Sequence, residues 1–262
     1  MRRDHAFTVG ERAKLDIGIA SGTVEIEVGA VGTIEVRLDI ERDDDVMVEQ
    51  LGDTVSITDR SRRFSRSRSM RVIAVVPPRA DLTVRGASVD VVARGAHGIV
   101  RCDLASGDLD VDEAVRVEAS SASGNIRIGT IHGDAGFTTT SGDLLVHDAA
   151  GRLNAQLTSG AVHAGSVGGG IQVGTASGNV RIDRCDGSDI QIRSVSGNIR
   201  LGLPAGIRVE PDISTMSGKV LLPSGASPVR PGSDQAERRS VRVRLRSLSG
   251  DIRIDRVGQD TG

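Results

Sequence analysis

The chain has 262 residues, 33 Lys and Arg against 35 Asp and Glu, no Trp or Tyr, and three Phe. A formal net charge of −2 supplies no global field to steer polyanions. Sugar-binding and single-stranded nucleic-acid sites usually rest on aromatic platforms, so the shortage of rings counts against both, and no clear nucleic-acid partner is expected.

Met1-Arg2-Arg3-Asp4-His5 is followed by charged and polar residues, without the apolar stretch of a secretory signal. Residues 1–80 read as short strands at Ala13–Ile19, Thr23–Val28, Thr33–Ile40, Val46–Glu49, Thr54–Thr58 and Met70–Val76. Alternation such as Val24-Glu25-Ile26-Glu27-Val28 predicts an antiparallel, β-rich cap. The acidic turn Glu41-Arg42-Asp43-Asp44-Asp45 lies within it, as does the stretch Arg60–Arg71, with six arginines in twelve residues. The stretch reads as a flexible basic hairpin loop, with Arg62, Arg63, Arg66 and Arg68 as candidate contacts to anionic lipid headgroups or nucleic acid, weak and lost as salt rises. The longest apolar run, Val72–Val76, has five residues and stops at Pro77-Pro78, far short of the ~20 that span a bilayer. A cytoplasmic location is the expectation.

Asp81–Gly98 is transitional, and from there Ser-Gly recurs at Ser106, Ser123, Ser141, Ser159, Ser177, Ser196, Ser217 and Ser249, at spacings of 17, 18, 18, 18, 19, 21 and 32 residues. A fixed period marks a stacked repeat architecture. Each Ser-Gly is followed by two aliphatics that bracket one outward residue, as in SGNIRI and SGDIRI. The first inward column is Leu109, Ile126, Leu144, Val162, Val180, Ile199, Val220 and Ile252; the second lies two residues later. Strict two-residue alternation is the pattern of a half-buried strand. The fold predicted is all-β: a parallel β-solenoid of ~18-residue coils with Ser-Gly turns over 81–262, preceded by the cap at 1–80. Residues 223–240, rich in Pro, Gly, Ser and charge, read as a mobile loop interrupting the last coil. Cys102 and Cys185 stand several coils apart and are expected to stay reduced.

Chemistry-bearing constellations are few. Asp108, Asp110 and Asp112 project from one strand, with Asp103 and Glu113 nearby. A hard cation wants six to eight converging oxygens, and the neighbouring Asn125 and Arg127 do not supply them, so a solvated acidic face is expected. His147 and His163, on adjacent coils, lack the further ligands zinc requires; His5, His97 and His132 read as isolated surface residues. No catalytic or phosphate-binding motif appears. The outward column holds Arg127, Arg181 and Arg200, with Arg253 further along. Stacked guanidiniums repel unless they meet carboxylates or an anionic partner, so these are the candidate anion- or partner-binding residues. No cofactor, metal site or catalytic residue is expected.

The serial SG[DN][IV]x[IV] strands, with Val75-Val76-Pro77-Pro78 and Leu82-Thr83-Val84 ahead of them, resemble the bacterial "putative adhesin" domain of unknown function, a toastrack-type β-solenoid, over roughly residues 5–256. The resemblance implies a non-enzymatic scaffold, engaged in protein–protein interaction or linked to envelope-stress sensing. Its partner is unknown. Alternatives are self-association as a bactofilin-like filament, growing from the last coil, and a carbohydrate-active or surface adhesion protein.

Overall fold

A computed structural model of the chain describes residues 2–40, 46–59, 69–222 and 240–258, and every regular element among them is a strand. The acidic turn at 41–45, the basic positions Arg62, Arg63, Arg66 and Arg68, and the segment 223–239 lie outside the described residues. No described helix is long and apolar enough to cross a membrane. The chain forms two compact units, Met1–His132 with Gly136–Gly142, and Gly133–Ala135 with Asp143–Gly262.

The first unit contains β1 (Arg2–Thr8), β2 (Lys14–Val28), β3 (Thr33–Asp39), β4 (Val46–Leu51), β5 (Thr54–Asp59), β6 (Met70–Val76), β7 (Asp81–Ser106), β8 (Leu109–Ser123), β9 (Ile126–Ile131) and most of β10 (Ala135–Ser141). Antiparallel pairs β1–β3, β3–β6 and β4–β5 form the cap. β2 differs: it runs parallel to β5, β6 and β7. It is a coil in its own right, turning at Ser21-Gly22, with Ser21 opposite Ser88 and Gly22 at φ 141°. The excursion through β3 to β6 separates this Ser-Gly from the later ones, which hides it from a search for a constant period.

The second unit contains β11 (Leu144–Ala149), β12 (Leu153–Ser159), β13 (Val162–Val167), β14 (Ile171–Ser177), β15 (Val180–Cys185), β16 (Asp189–Ser196), β17 (Ile199–Pro204), β18 (Arg208–Ser217), β19 (Val220–Leu221), β20 (Ser240–Ser249) and β21 (Ile252–Val257). Two parallel ladders rise in step, β11–β13–β15–β17 and β12–β14–β16. Then chain order and spatial order part. β16 pairs with β20, and β20 with β18; β17 pairs with β21, and β21 with β19. The coil of Ser249 is therefore inserted ahead of the coil of Ser217. This corrects the expectation that the Ser249 coil is the exposed last one. From Pro204 to Arg208 the chain steps over an intervening coil, roughly twice the ~4.8 Å strand spacing. Arg256 holds that step in place, donating to the carbonyls of Pro204 at 2.9 Å and Ile207 at 3.0 Å.

The repeated corner has a physical cause. Gly178, Gly197 and Gly250 lie at φ 144°, 138° and 138°, the region L side chains avoid. A Cβ on Gly197 would also collide with the carbonyl oxygen of Gly178, and one on Gly250 with that of Gly197. The residue after each glycine supplies the next link: Asn179 Oδ1 accepts the Asn198 N–H, Asn198 Oδ1 the Asp251 N–H, and Asp251 Oδ1 the Lys219 N–H, at 2.8–2.9 Å. Asp or Asn is thus preferred there because its side-chain oxygen caps a backbone amide of the following coil.

Stacking then buries the inward columns. Val180, Ile199 and Ile252 are 0–1% exposed, whereas Val220, in the coil that ends the ladder, is 40% exposed. Full burial of such a side chain contributes about 1.5–3 kcal/mol, and only a covered coil gains all of it.

Two outcomes are expected. Gly197→Ala should cost at least about 2 kcal/mol through strain and collision, read as a thermal midpoint lower by several degrees. Gly136→Ala, where a Cβ meets nothing within 4 Å, should leave the midpoint unchanged. For coil order, Arg200→Cys with Arg253→Cys, directly opposed across β17 and β21, should form a disulfide on oxidation. Arg200→Cys with Leu221→Cys should not, since β21 lies between them; cross-linking of that second pair instead would restore sequential coil order.

Candidate functional site

The outward column proposed from sequence is present, and its charges are met. In the second unit His163, Arg181, Arg200, Arg253 and Leu221 stand in register on β13, β15, β17, β21 and β19. Two residues further along, Asp183 accepts from His163 at 2.7 Å and Arg181 at 2.6 Å. Asp255 accepts from Arg200 at 2.9 Å and Arg253 at 2.7 Å. The hydrogen bond from Arg253 is the main cause holding the Asp255 carboxyl below its ordinary range. In the first unit Arg127 faces Asp108 at 3.4 Å. Exposed pairs of this kind are worth about 0–1 kcal/mol each, but they relieve the repulsion that stacking like charges creates.

The acidic strand is also occupied. Arg94 donates to Asp112 at 2.6 Å and to Asp110 at 3.3 Å, while Asp108 Oδ1 accepts the Asn125 N–H at 2.8 Å. Among the described residues no three His, Cys, Asp or Glu side chains gather as a metal ion would need. Cys102 and Cys185 are buried thiols not joined in a disulfide, and burial pushes the Cys102 thiol up to about 12.

The histidines separate by environment. His132 pairs with Glu113 at 2.8 Å and His5 stacks on Phe7, while His147 is exposed. His97 departs from the surface location expected of it. The register of β7 against β8 shifts between Ala93 and Ala96, and His97 falls opposite Ala114 in the inward column, 1% exposed.

On a different surface, arginines outnumber carboxylates among the described residues. The outward face of β12, β14, β16, β20 and β18 begins with amides, Asn154 opposite Gln172 and Gln172 opposite Gln191. It then turns basic: Gln191 faces Arg244, Arg193 faces Arg246, and Asp189 faces Arg242. On β18 the corresponding residues are Asp212, Ser214 and Glu210. Gln191, Arg193, Asp212, Arg244 and Arg246 line a cavity of about 200 Å³. Arg193 donates to the Gln191 amide oxygen at 2.7 Å once that amide is oriented to suit its neighbours, and Arg246 lies 3.6 Å from Asp212. Arg244 and Arg242 make no side-chain hydrogen bond or ion pair with any described residue. Beside them, between the registered pairs Ser194–Ser247–Thr215 and Ser196–Ser249–Ser217, lies an apolar row of Val195, Leu248 and Met216, 52%, 49% and 82% exposed.

The alternation Val241-Arg242-Val243-Arg244-Leu245-Arg246 is legible as a strand with a basic outer side. What it faces is not, because its neighbours follow from the inverted coil order.

Burial holds the His97 imidazole below its ordinary pKa of 6.5, so the fold favours its neutral form. As pH falls through 6.5 the unfolded chain takes up a proton that the folded chain resists, and stability declines. His97→Leu should flatten the dependence of the denaturant midpoint on pH between 7 and 5; an unaltered slope would mean that other groups set it.

The family model described as Toastrack DUF4097 matches residues 12–255. No curated protein matches the chain. Similar solved structures include a "putative adhesin" from Bacteroides fragilis, 11% identical, covering 97% of each chain with a TM-score of 0.41. Another, a "putative lipid binding protein" from Parabacteroides distasonis, is 12% identical over 97% of this chain and 96% of that one, with a TM-score of 0.49. A "putative adhesin" from Parabacteroides merdae is 9% identical over 97% and 96%, with a TM-score of 0.38. Matched by its model over all but the ends of the sequence, the chain belongs to the Toastrack DUF4097 family.

Proposed function

We propose that the chain is a non-enzymatic recognition scaffold that binds a protein partner on the outward face of β12, β14, β16, β20 and β18. The carrying observation is the juxtaposition there of Arg242 and Arg244, whose guanidiniums make no hydrogen bond or ion pair among the described residues, with the exposed row Val195, Leu248 and Met216. Elsewhere the stacked arginines meet aspartates, as Arg181 meets Asp183 and Arg200 meets Asp255. The adhesin-like reading implied by the sequence fits this picture, because adhesion and sensing both need a surface and neither needs a catalytic group. Guanidiniums stay protonated at neutral pH, so this face offers charge and apolar contact, not proton transfer.

Filament growth is a weaker reading. A second copy would have to add to the outer edge of β18 and β19, where Pro211, Lys219 and the two-residue length of β19 are features that discourage strand addition.

The test is a differential capture. Wild type, Leu248→Asp with Val195→Asp, and a control with Leu145→Asp, which is 41% exposed on β11, are each used as bait. A partner kept by wild type and control but lost from the double variant supports the proposed face. Equal retention by all three would remove it.

A further inference from the structure

We propose that the basic face takes an extended acidic segment of a partner protein, laid along β20 with its carboxylates on Arg244 and Arg246 and an apolar side chain on Leu248. This rests on the recognition reading above and names its ligand class.

The spacing carries the argument. Arg242, Arg244, Arg246 and Leu248 are successive outward residues of one strand, so they stand roughly 6.6–6.8 Å apart, the two-residue repeat of any extended polypeptide. A segment reading acidic–x–acidic–x–apolar therefore matches them with a carboxylate over each guanidinium and an aliphatic over the row of Val195, Leu248 and Met216. The cavity between β16, β20 and β18 has room for a carboxylate, with Arg193, Arg244 and Arg246 as cationic walls against the single carboxylate of Asp212, and the Gln191 amide as a further polar contact. Guanidinium–carboxylate contacts are charge-assisted and often bidentate, which fixes orientation as well as affinity.

The other charges on the face choose among anionic partners. Asp189 opposes Arg242 across β16 and β20, and Glu210 and Asp212 oppose Arg242 and Arg244 across β18. These three carboxylates would be pressed against a uniformly negative bilayer, at a repulsive cost. A single extended segment can instead set its carboxylates over Arg244 and Arg246, beyond the Asp189–Arg242–Glu210 row, with Asp212 the one carboxylate registered beside them. A monoanionic carboxylate also suffers less from Asp212 than a phosphate dianion does. The pattern of mixed signs thus selects a discrete acidic strand over a charged plane.

The probe is a fluorescein-labelled peptide of alternating Glu and Thr followed by Thr-Leu, measured by fluorescence anisotropy against the full chain. Its Glu→Gln counterpart and vesicles containing phosphatidylglycerol form the other arms. Wild type should bind the Glu peptide, with affinity falling as salt rises. Arg244→Glu should weaken it at least about tenfold, and Leu248→Ser by a smaller factor, each variant retaining the wild-type thermal midpoint. Equal affinity for the Glu and Gln peptides, indifference to Arg244→Glu, or vesicle binding without peptide binding would each overturn the inference. If the capture experiment still loses its partner with Leu248→Asp and Val195→Asp while the Glu peptide fails to bind, the recognition face stands and only its acidic ligand class falls.

Discussion

Everything in this molecule is built on a tight corner at which backbones of successive coils lie directly over one another. At that corner the chain needs a residue tolerant of φ near 140° and without a Cβ, because the carbonyl of the neighbouring coil occupies the space a Cβ would fill. Glycine alone satisfies both demands. The same closeness lets the following Asp or Asn cap an amide one coil away, so the corner is bonded as well as tight. With the corners superposed, the inward positions two and four residues beyond each glycine are forced into register. The aliphatic columns and their burial follow from that registration rather than from any single strong contact.

Corner chemistry also allows the coil order to be inverted. The Ser249 coil, SGDIRI, carries an Asp that accepts from the next coil and two aliphatics buried to 0% and 2%. The Ser217 coil, SGKVLL, carries Lys219, which has no side-chain acceptor to offer and needs none at the end of a ladder. A coil suited to pairing on both sides sits inside, and one suited to pairing on one side sits outside. Lys219 and Pro211 leave the outer edge a poor template for further strands. Among the described residues no further strand pairs beyond β18 and β19, and Val220 and Leu222 stay 40% and 45% exposed.

Most of the fold is legible in the sequence for one reason: a repeat constrained by its corner must repeat its letters. Ser-Gly, the Asx position and the paired aliphatics recur because each coil solves the same local problem. Legibility fails where the solution stays local but the order does not. Ser21-Gly22 obeys the rule, yet the strands β3 to β6 separate it from the other coils. Likewise Ser217 and Ser249 exchange places because register is set by shape at the corner, which is the same for both, and not by adjacency in the chain. His97 was hidden by a break in alternation: Gly95 at φ 90° and the register shift beside it turn inward a residue that simple counting leaves ambiguous.

The candidate surface shows the same division. Outward arginines are visible in the sequence as a column, but a column in a parallel ladder is a set of like charges about 4.8 Å apart, and that geometry demands a resolution. On β15 and β21 the chain resolves it within the strand, with an aspartate placed two residues after an arginine, Arg181 with Asp183 and Arg253 with Asp255, and Arg200 on β17 shares Asp255. The strand β20 lacks this internal pairing, since two residues beyond Arg244 stands Arg246, and beyond that Leu248. Among the described residues, the face as a whole holds five guanidiniums, Arg193, Arg208, Arg242, Arg244 and Arg246, against three carboxylates, Asp189, Glu210 and Asp212. The chain pairs its stacked arginines within the strand on β15 and β21, and its omission of that pairing on β20, beside an exposed apolar row, is what sets this face apart from the other ladder.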